Sequence, residues 1–282
     1  MEVIADKGEL RQQIADWKQA GDHVALVPTM GNLHEGHMAL IKLAREHAER
    51  VVASIFVNPT QFGEGEDFAS YPRSIEVDKR KLKRAKTDLL FAPEVETIYP
   101  FGTDTAASVT LPVLTDELCG DFRPGHFDGV TSVVSRLFGL VQPNVAVFGE
   151  KDYQQLVVIR RLVADLGLPI QVVAAPTHRE EDGLAMSSRN QYLNDDERAI
   201  APALYATLQD VAQALASGSE EYVALEEDAL AALRQAGFEP DYVSIRRAET
   251  LDAPDRDSDE LVVLAAATLG NARLIDNVVV AV

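Results

Sequence analysis

The 282-residue sequence predicts an α/β protein: a doubly wound parallel sheet over residues 1–183, followed by a smaller α+β domain over residues 184–282. Three observations predict it. Through residue 176, short apolar runs alternate with amphipathic stretches of helical period, the pattern of strands buried on both faces by crossover helices. The alternation then stops in a polar loop, "PTHREEDGLAMSSRNQYLN". Beyond the loop, helical segments come first and strands follow, the order of an α+β unit. The length also exceeds one typical domain and falls short of three.

Taken in order, "HVALVP" (23–28) reads as the first buried strand, "HMALIKLAREHAER" (37–50) as a helix, and "VVASIFV" (51–57) as the second strand. "IEVDKRKLKRA" (75–85) has helical period and "DLLFAP" (88–93) is apolar and short. Residues 93–125 are irregular, with an excursion around "ASVTLPVL". Then come the helical "VTSVVSRLFGLV" (130–141), the strand "NVAVFG" (144–149), the helix "YQQLVVIRRLVADLG" (153–167) and the strand "IQVVAAP" (170–176). In the second domain helices are expected near 195–217 and 220–236, and strands near 241–247, 261–267 and 273–280.

Composition narrows the function. The formal net charge is −19, from 45 acids against 26 bases, and residues 191–282 carry 18 acids, 6 bases and no lysine. Binding a nucleic acid depends on neutralising phosphates, so a polyanionic partner is not expected. Cys119, the single cysteine, can form no internal disulfide and is expected to be inert. No apolar run approaches membrane-spanning length, and "MEVIADKGEL" lacks a basic-then-apolar leader, so the cytoplasm is the expected compartment.

Ligands of doubly wound sheets bind at the carboxyl ends of the strands. Three unusual segments lie there: "PTMGNLHEGH", "VNPTQFGEGEDFASYPR" and "FGEKDYQQL". In the first, Gly31 and Gly36 allow close backbone approach, and His34 and His37 fall where a helix begins, a natural seat for phosphate oxygens. The same pair could be capping or solvent-facing histidines; for a zinc pair, no third ligand with matching spacing stands nearby. In the third, Lys151 can meet a phosphate and Asp152 a ribose hydroxyl, or the two can be a solvated helix cap. In "MSSRN", Ser187, Ser188 and Arg189 offer hydroxyls and a guanidinium fork to anionic oxygen, and equally the N-cap and first turn of a helix. The loop "QFGEGEDFASYPR", with Gly63 and Gly65 as hinges and Phe62, Phe68 and Tyr71 as apolar faces, has the make-up of a lid or of a plain surface connection.

The motifs "PTMGNLHEGH", "NPTQFG", "YPR", "RPGHFDGVTSVV", "FGEKDYQQL" and "MSSRN", in that order and spacing between about residues 24 and 194, resemble the pantothenate synthetase family. This is a family of ATP-dependent ligases joining pantoate to beta-alanine. Its Rossmann-like fold belongs to the nucleotidylyltransferase superfamily, whose other members share only the His-x-Gly-His turn and a serine-basic loop. A nucleotidylyltransferase that leaves AMP on its product and a non-catalytic nucleotide binder are the competing readings. "NPTQFG" and "RPGHF" favour the ligase, since neither alternative needs them. A tRNA synthetase is disfavoured by the acidic second domain and the missing anticodon module.

The resemblance implies that a pantoate carboxylate attacks the α-phosphorus of magnesium-bound ATP, releasing pyrophosphate, and that the amine of beta-alanine then displaces AMP from the pantoyl adenylate. It implies catalytic roles for His34, His37, Lys151, Ser187, Ser188 and Arg189, with His37 the usual proton donor. It implies ATP contacts from Met30, Gly31, His34, Gly36, His37, Gly149, Glu150, Lys151, Asp152, His178, Met186, Ser187, Ser188 and Arg189. Pantoate would be held by Gln61 and Gln155, with Met30 packed beside it. His178 stands where many relatives have valine, at a point expected to meet adenine through the main chain. Arg123 and His126 match a segment near the active site, with a buried structural role open for His126. Asp78 and Glu150 are open to a water-mediated magnesium role or to surface and capping roles. The expected partners are small molecules, ATP, pantoate and beta-alanine, with no nucleic acid and no membrane. A homodimer is expected by resemblance, with "ELVVLAAATL" or a sheet edge as its interface.

Overall fold

The structure, a computed structural model, describes all 282 residues. The chain forms two compact units, Met1–Glu150 with Val158–Pro176, and Lys151–Val157 with Thr177–Val282.

The first unit is a six-stranded sheet. In chain order its elements are β1 (Glu2–Ile4), α1 (Lys7–Gln19), β2 (Val24–Thr29), α2 (Glu35–His47), β3 (Arg50–Ile55), α3 (Ile75–Arg84), β4 (Leu89–Phe91), the single turns α4 (Val95–Ile98) and α5 (Cys119–Phe122), α6 (His126–Val141), β5 (Val145–Gly149), α7 (Tyr153–Asp165) and β6 (Gln171–Ala175). All strand pairs are parallel, in the order β1-β4-β3-β2-β5-β6. Strand order reverses between β2 and β5, the switch point at which such sheets take their ligands.

The strands are apolar on both faces because both faces are covered. Ala25, Val27, Val51, Ala53, Leu90, Val145 and Val147 pack with Ile41 and Ala44 of α2 and Leu82 of α3. The intervening residues Val24, Leu26, Val52, Leu89 and Phe91 are equally buried and point the other way, toward the side where α1 and α6 lie. The first two elements, β1 and α1, escape a reading by apolar runs. The strand has only three residues, and α1 buries only Leu10 and Ile14. Asp6 gave the signal: its carboxylate accepts Gly8 N–H at 2.6 Å and Glu9 N–H at 3.0 Å as the N-cap of α1.

The second unit contains α8 (Asp195–Ile200), α9 (Ala203–Ala216), α10 (Tyr222–Ala236) and an antiparallel sheet of β7 (Glu239–Arg247), β8 (Glu260–Leu269) and β9 (Ala272–Ala281) in that order. The expected single helix over 195–217 is two, because Pro202 has no N–H to continue the helical ladder. Leu204, Leu208, Val211, Leu233, Ile245, Leu261, Val263, Ala265 and Leu274 form its core, joined by Leu184 from the polar loop. "ELVVLAAATL" is β8, the central strand, hydrogen-bonded on both edges and buried from Leu261 to Ala267. It therefore cannot be the dimer surface that its apolar composition suggested. No helix is long and apolar enough to cross a membrane.

Candidate active site

The turn after β2 is built around a buried carboxylate. Asp78, on α3 and 1% exposed, accepts the main-chain N–H of Asn32 and of Leu33 at 2.9 Å each and the Ser74 hydroxyl at 3.1 Å. Lys81 donates to the Leu33 carbonyl. Gly31 has φ +90°, and a side chain there would press on Ile55 and on the Asp78 carboxylate. Asp78 thus holds the turn from a buried position, which corrects the surface role the sequence left open for it.

That turn delivers His34 as the N-cap of α2 and His37 one turn in. His37 Nδ1 accepts the His34 main-chain N–H at 3.2 Å, and the two rings lie with centroids 4.1 Å apart. The acceptor role fixes the tautomer of neutral His37: its proton sits on Nε2. The pair caps the helix, the structural role the sequence left open for it. Gly149 ends β5 on the other side of the switch point, where a side chain would just touch Leu40 of α2.

Gln61 lies in a 3₁₀ turn, Pro59–Gln61, after β3. It is 8% exposed, and its Nε2 donates to the sulfur of Met30 at 3.2 Å, so the two residues expected beside pantoate meet. The carboxamide is oriented by Asn58, 1% exposed, whose Nδ2 donates to Gln61 Oε1 and to the Gly129 carbonyl, both at 3.1 Å. Asn58 Oδ1 accepts Tyr99 Oη at 2.7 Å and Thr60 Oγ1 at 3.0 Å. Sequence reasoning did not assign Asn58 a role. Its signal was an Asn directly before Pro at a turn start. Gly129, on α6, was missed as well; a side chain there would overlap the Thr60 carbonyl and lie 2.6 Å from the Gln61 backbone.

Arg123 and His126 support the same turn. His126 Nδ1 lies 2.7 Å from the Gln61 carbonyl, which can only accept, so Nδ1 carries the proton and Nε2 takes the donation of Arg123 Nη1 at 3.0 Å. Arg123 also grips Glu66 of the 62–73 loop with two bonds of 2.6 and 2.7 Å. Burial pushes the Glu66 carboxyl up, but the hydrogen bonds and charge of Arg123 outweigh it and leave the group below its ordinary value. The loop holds itself together too, with Phe62 against Phe68 and Tyr71 at centroid separations of 5.4 and 5.9 Å.

In the second unit, Lys151 and Asp152 complete a 3₁₀ turn and Gln155 lies in the first turn of α7. His178 is exposed and its carbonyl accepts the Met186 N–H at 2.9 Å, within a short antiparallel bridge that pairs Arg179 with Ala185. Ser187 caps a 3₁₀ helix, Ser188–Tyr192, by accepting the Arg189 N–H at 3.2 Å, and its hydroxyl hydrogen stays available to a ligand. The cap belongs to this short helix, whereas α8 is capped by Asn194 in a reciprocal pair with Glu197. Nowhere do three His, Cys, Asp or Glu side chains converge as metal ligands.

A six-stranded parallel sheet with a histidine-capped helix at its switch point and a small antiparallel domain defines an α/β protein of the nucleotidylyltransferase type. A profile of the family described as pantoate-beta-alanine ligase matches residues 2–279. The chain is 52% identical over 280 residues to a pantothenate synthetase of Ectopseudomonas mendocina, covering 99% of this chain and 98% of that one. With one of Azotobacter vinelandii it shares 54% over 269 residues, 95% of each chain. Among solved structures, pantothenate synthetase of Thermus thermophilus superposes with TM-score 0.91 at 46% identity, over 99% of both chains. Pantoate-beta-alanine ligase of Francisella tularensis, complexed with beta-gamma ATP and beta-alanine, does so with TM-score 0.82 at 31% identity, over 99% and 97%. The chain belongs to the pantoate-beta-alanine ligase family, a family of ligases.

Proposed function

We propose that the protein condenses (R)-pantoate with beta-alanine in two steps, through a pantoyl adenylate. A carboxylate resists attack by an amine because its charge and resonance make it a poor electrophile, so it needs a good leaving group first. In the first step a pantoate carboxylate oxygen forms a bond to the α-phosphorus of ATP, and the bond to pyrophosphate breaks. In the second the amine attacks the acyl carbon, AMP departs with the bonding pair, and the amine gives up a proton. Family membership supports the substrates, and the ATP and beta-alanine ligands of the Francisella relative agree with them.

The observation that carries the reading is the His34–His37 cap at the switch point, which places two imidazoles at a helix N-terminus, where anionic oxygens are favoured. In-line displacement at phosphorus is catalysed chiefly by alignment and by positive charge around the phosphates. His34, His37, Lys151, Ser187, Ser188 and Arg189 supply these, and Gly149, Asp152 and the His178 main chain receive the adenosine. Met30, Gln61 and Gln155 hold pantoate; the Gln61 amide has a second N–H beyond the one on Met30. Magnesium enters with the ATP substrate, held by its phosphate oxygens. Residues 1–183 supply most of these ATP and pantoate contacts, and the smaller domain, residues 184–282, adds Ser187, Ser188 and Arg189. We place the protein in the cytoplasm as a homodimer; sedimentation as a single 30.8 kDa species would remove the dimer.

The test is isotope exchange without the amine. Labelled pyrophosphate should pass into ATP only when pantoate is present, with beta-alanine omitted. Exchange that demands beta-alanine would replace the two-step scheme by a concerted one, and exchange without pantoate would mean that another acid is activated.

A further inference from the structure

The strand β9 carries two buried polar side chains, Asp276 at 4% and Asn277 at 6% exposure, in a sheet whose neighbouring positions are apolar. Successive side chains of a strand leave opposite faces, so such a pair can serve two segments at once. Asp276 takes Arg179 through two bonds, of 2.6 and 2.8 Å, and Arg179 lies 3.4 Å from the Tyr205 ring centroid while also donating to the Gly183 carbonyl at 3.0 Å. Asn277 donates from Nδ2 to the main-chain carbonyl of Lys151 at 3.0 Å, and its own N–H is tied to Asp276 Oδ1 at 2.8 Å. The donor is thus itself clamped by the buried ion pair.

We propose that Asn277 is a positioning residue for adenylation: it fixes the backbone from which Lys151 reaches the phosphates of ATP. The proposal rests on the phosphate-binding reading of Lys151. Lys151 stands in a 3₁₀ turn, a tight and poorly bonded piece of backbone, and Asn277 is anchored in the second unit, to which Lys151–Val157 also belongs. A flexible lysine stem delivers its charge only as accurately as its Cα is placed, and misplacement by about 1 Å can cost up to ~100-fold in rate. Nothing in the apolar pattern of β9 requires an amide at this position, and burying one is costly unless it is hydrogen-bonded.

The experiment is a double-mutant cycle read on single-turnover pantoyl adenylate formation. Asn277→Leu keeps the branched shape, in a somewhat larger apolar side chain, and removes the donor; Asn277→Asp keeps the shape and, ionised, has no N–H to give. Each is made alone and together with Lys151→Ala. The expected result is a loss of about 10-fold for either Asn277 variant in the natural background, and less than about 2-fold once Lys151 is gone. Equal losses in both backgrounds would show a general structural role and overturn the proposal, as would an unchanged rate in the natural background. Lys151→Ala alone adenylating at the natural rate would overturn the reading of Lys151, and this single variant distinguishes that failure from failure of the proposal. If the leucine variant does not fold, the aspartate variant gives the same comparison.

Discussion

His37 Nδ1 accepts the main-chain N–H of His34 at 3.2 Å, so the imidazole caps α2 and, when neutral, carries its proton on Nε2. The two duties can be separated. An Asn side chain places its acceptor near Nδ1, and a Gln places its amide near Nε2. We expect His37→Asn to keep thermal stability but slow pantoate-dependent pyrophosphate exchange ~100-fold, the usual cost of one transition-state donor. His37→Gln should keep more of the exchange while losing the cap, about 1 kcal/mol. Exchange kinetics and thermal melts of the two variants check this; exchange retained by Asn and lost by Gln would reverse the assignment.

Gly129 is one point at which α6 supports the Gln61 turn, beside His126. A methyl group there would sit 2.6 Å from both Gln61 N and Gln61 Cα, backbone atoms that cannot swing aside. Gly129→Ala should therefore displace the turn, cost ~1–3 kcal/mol in stability, and raise the pantoate KM for adenylation ~10-fold with a smaller effect on the ATP KM. Equal shifts in both constants would argue that the turn does not hold pantoate.

The Glu66–Arg123 pair gives the 62–73 loop a pH dependence. Glu66 titrates below its ordinary 4.5 in the folded protein, so its contribution is complete above that value and is lost as the pH falls through the lower folded one. The melting-temperature gap between the natural protein and Glu66→Gln should be constant near neutrality and close only below pH 4.5. A gap that widens on acidification would contradict the direction of the shift.

Asp78 satisfies two main-chain N–H groups in a site closed to water. Asp78→Asn would turn an amide N–H toward one of these donors, leaving that donor without an acceptor. We expect a loss of ~2–3 kcal/mol. The melting point should drop on the order of 5 °C or more, and adenylation should fall with it because the turn carries His34 and Gly31. A stable variant with unaltered adenylation would mean that the turn stands without the carboxylate.

The parallel sheet was legible because β2, β3 and β5 are apolar runs buried on both faces, a signal that needs no tertiary context. The break at Pro202 was legible as well, had proline been weighed above the helical period that runs across it. At the site, His34, His37, Met30 and Gln61 were readable from ordered motifs. The groups that hold them were not, because Asn58, Glu66, Gly129 and Asn277 act across 71, 57 or 126 residues of separation. Apart from the Asn-Pro turn start at Asn58, no local pattern marks a side chain whose partner is that distant. Asp78 was misread for a related reason: a carboxylate on the amphipathic α3 looks solvent-facing until the turn after β2 folds onto it.

Lys151–Val157 and Thr177–Val282 make up one unit, with Val158–Pro176 belonging to the other. The smaller unit is therefore discontinuous in the gene, and no single cut liberates it whole. A chimera that imports residues 177–282 from a relative would bring a new Asn277 equivalent to an old Lys151 carbonyl, pairing two lineages across a 3.0 Å bond. Grafting residues 151–157 together with the tail keeps that bond within one parent. Recombination breakpoints for engineering this family should follow the two-piece boundary rather than the obvious polar loop.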